Sequence, residues 1–437
     1  MNKNPRLLMF IFLSCFLLLL PGFYNNYWDV VAYNEYQGWQ RGFDRFVVAR
    51  LVKSRQDGLR SAGGLLGMGD VKYWKYNAES TAYQYNRYEQ GINFDSYLAY
   101  KSFPGLQGTL FGIFDRVTDI APRTNLVIFR ASVVILSALT MATFLVWLAA
   151  EFGWLAASLT LAFIIASEWL TLLAGSLYWS LWAFYLPFVA VLFLLGNALA
   201  NNEYPEKQLL WTVFITAWMK ILFNGFEAIT SAFIMITVPL MYFAIRDRWP
   251  VKLLTLRFTK LSLVLGLALA AGLIVLAIQI AIQSGGIAES YDYIMDTLNR
   301  RAIGRPEEYP EFADGMQASV WFVIWRYLTI PAISIHVFQK LWQVSFLHLN
   351  LLFSMATVMF LFIRKNLAHD AGFRKGLALM GATWFSILAP LSWLVIFKPT
   401  SYTHDAIFPF IWQMPFTLLG FAFCGYVVQQ TIRVSKN

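Results

Sequence analysis

A carboxylate placed at the end of an apolar helix can take a proton from an incoming hydroxyl, or hold a metal that does so. This chain has that arrangement in Asn25-Asn26-Tyr27-Trp28-Asp29-Val30, directly after the apolar run Leu7–Phe23, with Glu35 six residues beyond Asp29. A second group is the turn Lys220-Ile221-Leu222-Phe223-Asn224-Gly225-Phe226-Glu227 between two apolar runs, the first of them short. Short helices can mark a binding site at membrane depth. Lys220 can extend its amine to the interface, whereas the shorter Glu227 reaches poorly. Glu168, in Ala166-Ser167-Glu168-Trp169, falls inside an apolar run, where an ionisable group is costly and points to function. Arg130, a turn inside the preceding run, is the opposite charge expected to face it. The richest turn is Lys398-Pro399-Thr400-Ser401-Tyr402-Thr403-His404-Asp405. Lys398 and His404, with hydroxyls beside them and a helix start behind, suit a phosphate held by charge and backbone N–H groups, and Asp405 suits a helix cap.

The elements that must position these residues are apolar. Of 437 residues, 58% are hydrophobic and 14% charged, against roughly 45–50% and about 25% in soluble proteins. Lipid is therefore the main solvent, and a separate soluble enzyme domain does not fit. A spanning helix needs about 20 apolar residues. After Leu7–Phe23, further runs cover Leu126–Ala149, Trp154–Ala174, Leu177–Leu199, Leu209–Phe223, Phe226–Ile245, Leu261–Ile282, Leu349–Ile363, Gly376–Phe397 and Ala406–Val428. The expectation is an all-α polytopic membrane protein of about ten transmembrane helices. The exit Pro21-Gly22-Phe23-Tyr24 does not read as a small-residue cleavage site, so the first run reads as an uncleaved anchor rather than a signal peptide.

The net charge of +9 does not require nucleic acid, because the basic residues cluster at the ends of apolar runs, where they hold loops in the cytoplasm. Lys3 and Arg6, the stretch Arg246 to Lys260, Arg364 to Lys375, and Arg433 with Lys436 all fall on that side of a ten-helix count. A span over Val320–Ile335 would reverse this. It contains Arg326 and Pro331, and it reads better as a surface or re-entrant helix. The opposite face then carries two extracytoplasmic segments, 24–124 and 283–348, within a single domain 1–437. In the first, Trp39, Phe43, Val47 and Leu51 recur every four residues opposite Arg41, Asp44, Arg45 and Arg55, the pattern of a helix lying in the membrane interface. Ser61-Ala62-Gly63-Gly64 reads as a turn after it. Cys15 and Cys424 lie inside apolar runs and suit neither a disulfide nor a metal site.

The order of a first helix, an acid opening a long outer loop with membrane-surface helices, paired spans and a late outer segment resembles the GT-C glycosyltransferases, membrane enzymes that use polyprenyl-phosphate sugars. In that family an acid of the first outer loop is the base or a metal ligand, and Tyr27-Trp28-Asp29 matches it here, with Glu35 as fallback. The resemblance implies inverting transfer to an acceptor hydroxyl on a glycan, lipid or surface protein, at the exterior face of a bacterial inner membrane. It further implies lipid phosphate stabilised by Lys398, His404 and Arg130, sugar or acceptor bound by Glu227, Lys220, Tyr402, Glu168 and Asp405, and a divalent metal as a possible cofactor. The tandem acidic pair and the Trp-Trp-Asp signature of some members are missing. Two other readings stay open: an O-antigen-type polymerase or ligase, whose large outer loop comes late, and a transporter of lipids or small molecules, which has no need of an outer carboxylate.

Overall fold

The computed structural model describes residues 4–73, 75, 77–337, 340–367 and 371–435; Lys3 and Lys436, counted above among the basic ends, lie outside them. The chain opens with α1 (Pro5–Asn25), whose start is set by Pro5 and by Asn4, which caps the Arg6 N–H. Then come α2 (Tyr33–Asp57), strand β1 (Leu66–Gly69), α3 (Ala78–Gln90), β2 (Leu98–Tyr100) and α4 (Leu106–Val117). The helical body continues as α5 (Pro122–Phe152), α6 (Trp154–Ala166), α7 (Glu168–Ala174), α8 (Leu181–Ala200), α9 (Glu206–Asn224), α10 (Ile229–Arg246) and α11 (Val251–Ser284). A second irregular segment holds α12 (Ile287–Leu298), α13 (Ala313–Gln317), α14 (Val320–Thr329) and the hairpin β3 (Pro331–Val337) with β4 (Lys340–Ser345). Five helices finish the chain: α15 (Phe346–Leu367), α16 (Ala371–Ser386), α17 (Leu388–Ile396), α18 (Lys398–Thr403) and the long α19 (Phe416–Val434).

Among the described residues the protein is all-α apart from two antiparallel two-stranded ribbons, β1–β2 and β3–β4. Among the described residues, eight helices are long and apolar enough to cross a membrane, and nine if the bent pair α6 and α7 counts as one span. This is an integral membrane protein. The expected tenth span, Leu209–Phe223, lies in α9, where Glu206, Lys207 and Lys220 dilute the apolar run. The run Trp154–Ala174 is not straight: the chain turns by 73° at Ser167, which caps Leu170 N–H at the start of α7. The last helix begins at Phe416 rather than Ala406, because Pro409 and Pro415 interrupt the approach to it.

Lipid-facing and protein-facing stripes alternate as a membrane body requires. On α11, Leu263, Leu267, Ile274 and Ile278 are exposed, while Leu261, Leu265, Ala268 and Gly272 are buried. Gly272 lets α9 close in, since a Cβ there would stand 2.4 Å from Ile221. Val320–Ile335 is not a span: α14 has ten residues, and the chain turns into a hairpin at Pro331.

The largest departure from the sequence reading is α2. It does not lie in the membrane interface. Its apolar residues and its charges are buried together, with Asp44, Arg45 and Arg50 fully covered, and it packs against α3, α4 and β1. Arg50 donates to the carbonyls of Ser61, Leu59 and Gly58, so its charge is spent bracing the turn that follows the helix. That turn is the expected one, with Ala62 and Gly63 in left-handed conformation and Gly63 lying against the backbone of Gln279 on α11. Arg55 grips Asp115 of α4 with two N–H groups at 2.6 and 2.8 Å, and Tyr88 and Asn125 donate to the same carboxylate. Segment 26–121 is thereby a folded cap locked onto one end of the body.

Candidate functional site

The capped end is assembled around the loop 175–180, which follows α7. Asp44 of α2 reaches it 132 residues along the chain, and its carboxylate accepts from Ser176 Oγ at 3.1 Å, the Leu177 N–H at 2.7 Å and the Tyr178 N–H at 3.4 Å. Arg130 completes this set, donating to the other oxygen at 3.1 Å. Arg130 therefore answers Asp44 and not Glu168. Burial pushes the Asp44 carboxyl upward, while the guanidinium and the loop donors favour its ionised form. From the other side, Asn224 at the end of α9 pairs twice with the Ser180 backbone, at 3.0 and 2.9 Å. Gln107 of α4 holds the Tyr178 carbonyl.

This clamped loop presents Tyr178 and Trp179 to the interior. The Tyr178 hydroxyl donates to that of Tyr100 on β2 at 3.0 Å. Beside them lies Glu227, whose Oε1 accepts from Arg301 at 2.9 Å, with both side chains largely buried. Its other oxygen, Oε2, is buried with no hydrogen-bond partner among the described residues, and neither has the indole N–H of Trp179. Burial opposes the charge on Arg301, but Glu227 and the phenols of Tyr100 and Tyr178 outweigh it and hold the guanidinium protonated. Lys220 is fully buried rather than extended to the interface. Its amine donates to the carbonyls of Gly225 at 2.9 Å and Glu227 at 2.6 Å, and so ties the α9–α10 turn in place. Gly225 takes φ 58° and ψ −145°, open in practice to glycine alone, and a Cβ there would strike Phe103.

A second acidic group stands at the rim. Asn26 and Asp29 both hold positive φ, 53° and 52°, a conformation that Asn and Asp tolerate better than other residues at some cost. The Asn26 side chain enforces it, donating to Val31 O at 2.6 Å and accepting from the N–H groups of Val30 and Val31. Trp28 turns back to donate to Leu18 O on α1. The outcome is an exposed Asp29 whose carboxylate has no partner among the described residues. Glu35, in the first turn of α2, is exposed as well, and it acts electrostatically on Glu168 at the start of α7. Trp39 packs 6.0 Å from Trp169 and 6.0 Å from Trp179, so a row of rings joins the rim acids to the Tyr178–Tyr100 pair.

The late turn folds differently from its expected role. Lys398 begins α18, and its amine is spent on the carbonyls of Met316 and Ala318, at 2.8 and 2.6 Å. Asp405 pairs with Arg326 of α14 rather than capping a helix, and Tyr402 lies under the same guanidinium. His404 is lowered below the usual imidazole range by burial and by Arg301, which together outweigh Glu227. It is neutral at neutral pH and brings no charge to a phosphate. The folded value lies below the unfolded one, so stability from neutral His404 is fully present above about pH 6.5 and is lost progressively as pH falls from there towards the lower folded value. His404→Gln is expected to flatten the fall in Tm between about pH 7 and pH 5 in detergent; a slope unchanged by the substitution counts against it.

Among the described residues, no three His, Cys, Asp or Glu side chains come together to hold a metal ion. Asp29 alone is not a ligand set, so the divalent metal implied above has no fitting site in these residues. Arg301, Tyr100 and Tyr178 were not singled out by sequence, and Asp44 was read only as part of the polar side of an interfacial helix. The available signal was Asp44-Arg45 set between Phe43 and Phe46-Val47-Val48, charges enclosed by apolar neighbours on both sides. No protein-family model, curated protein or solved structure matches this chain.

Proposed function

We propose that this protein is a glycosyltransferase of the GT-C type, moving a sugar from a polyprenyl-phosphate donor to an acceptor hydroxyl on the extracytoplasmic face of a bacterial inner membrane. The observation that carries the reading is Asp29: an unpaired, exposed carboxylate held in a braced left-handed turn at the mouth of the first span. Strained backbone kept in place by its surroundings is characteristic of working sites. Sidedness is supported by charge, since Arg246, Lys375 and Arg433 lie at the end of the body opposite Asp29.

In the reaction, the Asp29 carboxylate takes the proton of the acceptor hydroxyl. That oxygen bonds to the anomeric carbon from the side opposite the phosphate, the bond from carbon to phosphate oxygen breaks, and lipid phosphate departs with its electron pair. Configuration inverts. The buried Glu227 Oε2 and the Trp179 N–H supply an acceptor and a donor, and the ring row beside them supplies faces for sugar C–H groups.

Membranes bearing the protein, supplied with polyprenyl-phosphate sugars labelled in both the sugar and the lipid, are expected to release lipid phosphate in step with sugar transfer. Donors that cross the bilayer intact, with no lipid phosphate formed, would make the chain a transporter and end the transferase reading.

A further inference from the structure

A polar cleft of about 460 Å³ opens where α1, α2, α3 and α5 meet, lined in part by Asn25, Arg41, Glu89, Arg123, Val127 and Arg130. Three arginines and one glutamate give it a net charge of +2. Each arginine is held from behind or beside. Arg130 is backed by Asp44 at 3.1 Å, Arg41 lies over the Tyr85 ring at 4.7 Å, and Arg123 leans on Glu89 at 3.1 Å. The Tyr85 hydroxyl feels Arg41, Arg130, Glu89 and Asp44 together, so these charges surround one point. None of the three guanidiniums is used up: Arg41 has no hydrogen-bond partner among the described residues, Arg123 uses one N–H group, and Arg130 uses one.

The depth of the cleft is informative. Part of its lining comes from the last residues of α1 and the first turns of α5, two of the spanning helices, and Val127 among them is exposed on the apolar flank. It therefore sits where apolar flank gives way to polar cap, the level of lipid phosphates. Planar, always-charged guanidiniums recognise phosphate oxygens through paired N–H groups.

We propose that this cleft binds the phosphate ester of a lipid headgroup, with the lipid chains lying along α1 and α5. The inference does not depend on the transferase reading, because binding alone reports it. Two lipids carry this chemistry, a membrane phospholipid and a polyprenyl phosphate, and separate arms of one experiment distinguish them.

The full chain in neutral detergent is titrated with phosphatidylglycerol, with undecaprenyl phosphate and with inorganic phosphate, and bound lipid is counted by native mass spectrometry. Arg41→Gln and Arg123→Gln are each expected to weaken lipid binding about fivefold. Arg123 has a side chain 82% exposed, so its loss leaves the fold intact. Glu89→Gln is expected to tighten binding by removing the acid in the cleft, a change of sign that damage to the fold does not produce. The lipid that responds to all three substitutions is the occupant. Unchanged binding of both lipids in all three variants overturns the proposal, and so does inorganic phosphate binding as tightly as either lipid.

Discussion

Asp29→Asn is expected to lower sugar transfer by about 10²–10⁴-fold, the usual contribution of a positioned general base, while protein level and Tm hold. The substitution is chosen because the turn will accept it. Asn tolerates a φ of 52° as well as Asp does, and the bracing is done by Asn26, not by the Asp29 carboxylate. What is lost is the ability to take a proton. Glu35→Gln is the matched comparison, since Glu35 is also exposed, and it is expected to have the smaller effect because its carboxylate works against Glu168. A full loss in Glu35→Gln with an active Asp29→Asn would move the base to Glu35. Full activity in both variants would remove the assigned base altogether.

The largest effect on stability is expected from Arg301→Ala, a loss of about 3–5 kcal/mol, because the Glu227 carboxylate would be left buried without its counter-charge. One of its oxygens already lacks a partner among the described residues. Lys220 offers no relief, its amine being committed to backbone carbonyls. The double variant Glu227→Gln/Arg301→Met removes both charges and is expected to recover most of the lost Tm in detergent. Equal losses in the single and double variants would show that the pair is not what Arg301 contributes. The contact joins the α9–α10 turn to the segment after α12, and Thr400 adds a hydrogen bond to the Arg301 carbonyl at 3.3 Å, so the single variant should also loosen α18.

Long uninterrupted apolar runs were legible from sequence. Those that became α1, α5 and α11 lie within their helices, because lipid imposes one requirement on every residue that faces it. The exposure of Asp29 was legible for a similar reason: it follows from the residue's place just after a span, which is local information. The rest is governed by long-range contacts. Trp39, Phe43, Val47 and Leu51 do share a face of α2, but periodicity does not say whether that face meets lipid or protein, and here the opposite face is buried as well. Lys398 and His404 carried the right chemistry for phosphate. Their fate was decided by Met316, Ala318 and Arg301, residues 80 to 103 positions away. The pairing of Glu227 with Arg301 across 74 residues was equally hidden.

The burial of α2 also sets an order of events in the making of the protein. Asp44 leaves the ribosome 132 residues before the Ser176 that will help to satisfy it. At a synthesis rate of about 5–20 residues per second, that gap is on the order of ten seconds. Throughout it, the Asp44 carboxylate is without the loop donors that will help to satisfy it, since α7 and the loop after it have yet to be made. The cap must wait, partly folded and tethered first by α1 and then by α5 as well, until the third membrane segment arrives to receive it.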